Sequence, residues 1–83
     1  MATVGSTKKG QEYSDAELAL ILSIAPTKQN AERLAEAFDR TPEAIEWIWS
    51  LASRTDKEIK SNWPGNKFVQ QVRILAKKAG WVH

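Results

Sequence analysis

Lys67, Gln70, Arg73, Lys77 and Lys78 recur at helical spacing near the C-terminal end of the chain. Residues three and four apart are neighbours on one side of a helix, so these five form a single basic, amide-bearing face. Its chemistry is that of a nucleic-acid contact. Lysine neutralises phosphate, while arginine and glutamine make paired hydrogen bonds to the edges of guanine and adenine. Ile74 sits among them, suited either to a thymine methyl or to a protein contact. Arg54, Lys57 and Lys60 lie just upstream and extend the positive surface. Asn66 opens the helix, where backbone N–H groups can meet a phosphate. Lys8 and Lys9 offer a basic arm of the kind that reaches a neighbouring groove. The alternative is the ordinary solvated face of a helix.

Charge segregation favours the binding reading. Residues 54–83 carry seven cations against two acids, whereas residues 11–53 carry eight acids against three cations, and the net charge of +2 conceals the difference. A basic half of this kind suits a polyanionic partner. Other chemistries are poorly supplied. The chain has no cysteine and one histidine, His83. It therefore lacks a disulfide framework, a thiolate or histidine metal site, and a Ser–His or Cys–His pair. There is no glycine-rich phosphate loop. Glu43 and Glu46 lie one turn apart and read as surface acids rather than as paired catalytic carboxylates. No enzymatic activity, cofactor or small-molecule substrate is expected. The longest apolar run, Leu18–Leu22, is far short of the ~20 residues of a membrane span, and residues 1–10 lack the apolar stretch of a signal peptide. The expectation is a soluble, intracellular protein with no membrane partner.

The elements that must position these residues are helices, because no run alternates apolar and polar β-branched residues. Ser14 with Glu17 spells a capping box, and the helix that follows is apolar on nearly every side, which predicts wide burial up to Pro26. Thr27 or Asn30 caps a second helix with Ala31, Leu34, Ala35 and Phe38 on one face. Thr41 and Pro42 start a third that runs to about residue 53. Thr55 and Glu58 repeat the capping-box spelling for one extra turn. Trp63-Pro64-Gly65 is a turn signal, Asn66 caps the basic helix, and Gly80 ends it with Trp81 folding back. Trp81 and Val82 then close the core or a dimer seam. This yields a disordered basic tail at 1–10 and one helical domain at 11–83.

Tyr13-Ser-Asp-Ala-Glu17 with Leu20, Ala35-Glu-Ala-Phe-Asp-Arg-Thr-Pro-Glu-Ala-Ile45 and Trp49 together resemble a Myb/SANT-like domain over residues 13–53. The resemblance implies a trihelical helix-turn-helix with its turn at residues 39–41. It also implies a third helix that reads DNA or, in SANT-type members, a surface that binds proteins. The third helix departs from that pattern. It contains no cation, and its polar strip is Glu43, Glu46, Ser50 and Ser53, which would repel phosphate. Ile45, Trp49 and Ala52 face the first two helices. Trp47, Ile48 and Leu51 form a second apolar side, covered by the C-terminal helix or left open for a partner.

The sequence thus predicts an all-α fold in which a trihelical unit at 13–53 is followed by a connection at 54–65 and a basic fourth helix at 66–79. It predicts a small regulatory or architectural protein that contacts DNA through Lys67, Gln70, Arg73, Lys77 and Lys78, assisted by Arg54, Lys57 and Lys60. Two rivals remain open. One is a SANT-like protein-interaction module using the acidic face (Glu32, Glu36, Glu43, Glu46) or the Trp47/Leu51 surface. The other is an oligomeric subunit of a DNA-handling complex, sealed by Trp81 or Ile74.

Overall fold

Each helix begins where a short polar side chain meets the backbone N–H three residues on. Ser14 accepts from Glu17, Thr27 from Asn30, Thr41 from Ala44, Thr55 from Glu58 and Asn66 from Val69. These bonds satisfy donors that a helix start leaves without an intrahelical partner. At Ser14 and Thr55 the acid three residues on returns the bond to the cap's own N–H, completing two capping boxes. The computed structural model, which describes residues 13–81, accordingly holds α1 (Asp15–Leu22), α2 (Lys28–Phe38), α3 (Pro42–Ser53), α4 (Asp56–Asn62) and α5 (Lys67–Lys78). The described residues are all-helical and include no strand. The expected tail at 1–10, with Lys8 and Lys9, lies outside the described residues, as do Val82 and His83.

The helix ends are equally local. Asp39 terminates α2 at φ 57°, and the Arg40 N–H reaches back to the Ala35 carbonyl at 2.7 Å. Gly80 does the same for α5 at φ 99°, with Trp81 N–H on the Ala76 carbonyl at 2.9 Å and Gly80 N–H on that of Lys77 at 3.2 Å. Both are left-handed helix stops that use otherwise orphaned carbonyls. Between α4 and α5, Asn66 N–H closes a turn on the Trp63 carbonyl at 3.3 Å, with Pro64 second and Gly65 third at φ 75°. That is the residue pattern of a type II turn.

One core joins α1, α2, α3 and α5. Leu18, Ile21 and Leu22 meet Ala31, Leu34 and Ala35 around Ile45, Ile48, Trp49, Leu51 and Ala52, and α5 adds Val69, Val72 and Ala76. α3 lies at the centre and packs against the other three. Its second apolar side is covered, because α5 buries Ile48 and Leu51. Two expectations need correction. The connection at 54–65 contains a full helix, α4, which is amphipathic only through half-buried Ile59 and contributes no fully buried residue. And α1 is buried on one side alone: α3 and α5 cover Leu18, Ile21 and Leu22, leaving Ala16, Ala19 and Leu20 outward, the last 48% exposed.

Candidate nucleic-acid interface

The basic residues divide into two groups according to what their side chains already hold. Arg73 belongs to the first, and the structure corrects its expected role. It is only 9% exposed. Its Nη1 donates to the carbonyls of Leu51 at 3.1 Å and Ala52 at 3.2 Å, and also to that of Arg54, while its Nη2 donates to Asp56 Oδ1. The last turn of α3 carries no basic residue of its own. Its unpaired carbonyls and the negative end of its dipole are satisfied by a guanidinium from α5. The guanidinium of Arg73 is thereby engaged within the fold.

Arg54 is also largely engaged. Its guanidinium lies 5.3 Å from the centre of the Trp63 ring and 3.8 Å from a Glu58 carboxylate oxygen. Arg40, which sequence reasoning took as a charge and as part of the turn motif, is buried over the Tyr13 ring at 3.7 Å and lies 3.7 Å from Glu17. Burial raises the Tyr13 hydroxyl above its ordinary value, with the Arg40 charge pulling the other way. No sequence signal separated these arginines from the lysines.

The second group is free of such duties. Lys57 and Lys60 on α4, and Lys67, Lys77 and Lys78 on α5, are all exposed and make no ion pair within the described residues. Gln70 is exposed beside them, and its carboxamide is not bonded among the described residues. Neighbouring Gln71 differs: it donates to the Tyr13 carbonyl at 3.1 Å and to Asp15 Oδ1 at 2.7 Å, tying α5 to the start of α1. α4 and α5 flank a groove of about 860 Å³ lined by Lys57, Ile59, Lys60, Gln70 and Ile74, together with the Arg73–Asp56 pair. A smaller recess of about 290 Å³ lies on the other flank of α5, lined by Lys67, Gln70, Ile74 and Lys78 and by Asp15 of α1.

Asp56 is the one acid in the larger groove. Its hydrogen bond from Arg73 holds the carboxyl below its ordinary value, helped by the charge of Lys77 and, more weakly, Lys60. Glu58 is likewise lowered, chiefly by the Thr55 N–H in the capping box. Asn66 spends its side chain on the Val69 N–H and its own N–H on Trp63, so the start of α5 retains fewer donors than expected for an anion.

Residues 7–83 match the family described as "Uncharacterised protein PM1205 C-terminal domain". The chain belongs to this family. The "Uncharacterized protein PM1205" of Pasteurella multocida (strain Pm70) is 36% identical over 64 residues, which are 77% of this chain and 51% of that protein. The chain thus spans about half the length of the curated relative it matches. No solved structure matches it.

In this member of the PM1205 C-terminal-domain family, the surfaces named for rival functions fare unequally. Ile48 and Leu51 are buried, so the Trp47/Leu51 apolar surface reduces to Trp47, 40% exposed and edge-on to Trp63 at 5.3 Å. Glu32, Glu36, Glu43 and Glu46 are all exposed. Trp81 turns inward and donates its indole N–H to the Leu22 carbonyl at 2.7 Å. Ile74 remains in the open. Among the described residues no group of three His, Cys, Asp or Glu side chains converges as a metal site, and no helix is long and apolar enough to cross a membrane.

Proposed function

We propose that this domain binds double-stranded DNA through the outer side of α4 and α5, as a regulatory or architectural protein without catalytic activity. One observation carries the reading. The arginines at 40 and 73 are buried and paired inside the fold and half-buried Arg54 is paired with Glu58, while Lys57, Lys60, Lys67, Lys77 and Lys78 stand exposed and unpaired among the described residues on the two helices that flank one groove. Exposed lysines have no partner to give up when they meet phosphate, and the binding free energy comes from released counterions.

The helix-turn-helix reading of residues 13–53 belongs to the same proposal. Its support is the short connection from α2 through left-handed Asp39 to the Thr41-capped α3. In this reading α3 acts as scaffold rather than as reader, because it bears no cation and has α1, α2 and α5 packed around it.

Fluorescence anisotropy with a labelled duplex at about 50 and 200 mM salt tests the reading. Four to six phosphate contacts weaken binding between roughly one hundred- and two thousand-fold over that range. Lys77→Glu with Lys78→Glu abolishes binding in a protein that still melts cooperatively with the same helicity. A complete absence of duplex binding at the lower salt would overturn the reading. The exposed glutamates of α2 and α3 support a second reading, a SANT-like module for a basic protein partner. It predicts that binding is lost on Glu43→Lys with Glu46→Lys, and is unaffected at Lys77 and Lys78.

A further inference from the structure

We infer that α5 lies in the major groove with Gln70 and Ile74 leading, and that these two side chains select A·T pairs. The inference rests on the duplex-binding reading and adds the bases that are read. Gln70 and Ile74 are one helical turn apart, and both line the larger groove on one flank of α5 and the recess on the other. They therefore form the ridge between the two. Lysines stand on both sides of that ridge, Lys57 and Lys60 across the α4 groove and Lys67 and Lys78 along the α1 recess. Two cationic rows about a central strip match the major groove, where two phosphate backbones border a floor of base edges about 12 Å across.

The chemistry of the ridge limits what it can read. The Gln70 carboxamide offers one acceptor and a donor side by side, the complement of adenine N6 and N7. Gln71 cannot substitute, because its amide is held by Tyr13 and Asp15. Ile74 is 57% exposed, more than Leu20 or Trp47, and it projects from a cationic face where a bare aliphatic chain gains nothing from water. The thymine C5-methyl is the apolar feature of the major-groove floor. One helical turn advances about 5.4 Å, so Ile74 meets a thymine one or two base pairs from the adenine held by Gln70. The acids nearby do not oppose this approach: Asp56 is paired with Arg73 and Asp15 accepts from Gln71.

Selection from a randomised duplex pool, followed by anisotropy on the enriched duplex, tests the inference. The pool enriches A·T pairs at adjacent or next-adjacent positions, and replacing them by G·C weakens binding about five- to one hundred-fold. Replacing the thymine by deoxyuracil, which removes only the methyl, weakens binding to the wild-type protein and not to Ile74→Ala. Gln70→Ala loses the preference for A·T over G·C at the adenine position and keeps the preference for the thymine one or two base pairs away. Both variants alter exposed side chains, and unchanged thermal melts confirm that they are folded. Salt-dependent binding with no A·T enrichment, or with enrichment that survives Gln70→Ala and Ile74→Ala, overturns the assignment of the ridge and leaves duplex binding standing. No salt-dependent binding to any duplex overturns both.

Discussion

Arg73 holds the end of α3 through three carbonyls, and its loss takes the donor from two buried acceptors, those of Leu51 and Ala52, and from the half-buried Arg54 carbonyl. Each such group costs about 1–3 kcal/mol. Arg73→Met is therefore expected to lower the unfolding free energy by about 2–4 kcal/mol in urea denaturation. Arg73→Lys recovers only part of this, because an ammonium lacks the planar fork that reaches several carbonyls at once. Lys77→Glu with Lys78→Glu reverses both cations in the last turn of α5 and is expected to cost about 1–2 kcal/mol through the helix dipole, less than the loss of Arg73. The Asp56 carboxyl adds a pH dependence. Its folded value lies below the ordinary 3.8, so its ionised form favours the folded state. The stability it supplies is present above that value and is lost as pH falls below it toward the folded value. Thermal melts on acidification show a smaller drop for Asp56→Asn than for the wild type.

At the scale of the element, each cap is a local device, and each has a separable effect. Thr41→Ala removes the acceptor for the Ala44 N–H and is expected to cost about 1 kcal/mol by thermal melting. Gly80 occupies φ 99° with nothing within 4 Å of where a Cβ would sit, so Gly80→Ala meets no clash. It pays only for the left-handed backbone, about 1–2 kcal/mol. The sequence foretold the starts of α1, α3, α4 and α5 and left that of α2 between Thr27 and Asn30, because a cap and its partner lie three residues apart and Thr27 and Asn30 are both cap-type residues. It did not foretell the full extent of α4, whose seven residues bury none completely and so leave little apolar periodicity to read. It overstated the burial of α1, where a run of apolar residues carries no mark of which side a neighbour covers.

For the molecule as a whole, α5 is the fastening element. Gln71 binds the start of α1, Arg73 the end of α3, and beyond Gly80 the Trp81 indole takes the Leu22 carbonyl next to the Ile21 carbonyl held by Trp49. α5 also covers Ile48 and Leu51. A chain truncated to residues 1–65 exposes that side of α3 and leaves both helix ends unsatisfied. Far-UV circular dichroism is expected to show weak helicity and no cooperative melt, in contrast to a trihelical domain that folds alone.

The amino-acid sequence by itself determined the helical class, the helix starts and the separation of an acidic half from a basic one. Each depends on residues near one another in the chain. Only the tertiary structure decided which members of the basic stripe face water. Gln70, Arg73 and Lys77 are equivalent by spacing, yet the carboxyl end of α3 meets the stripe at Arg73 and draws that side chain inward. Helical periodicity says which residues share a face. Where another helix ends against that face is set by packing between segments about twenty residues apart in the chain, and no local pattern records it.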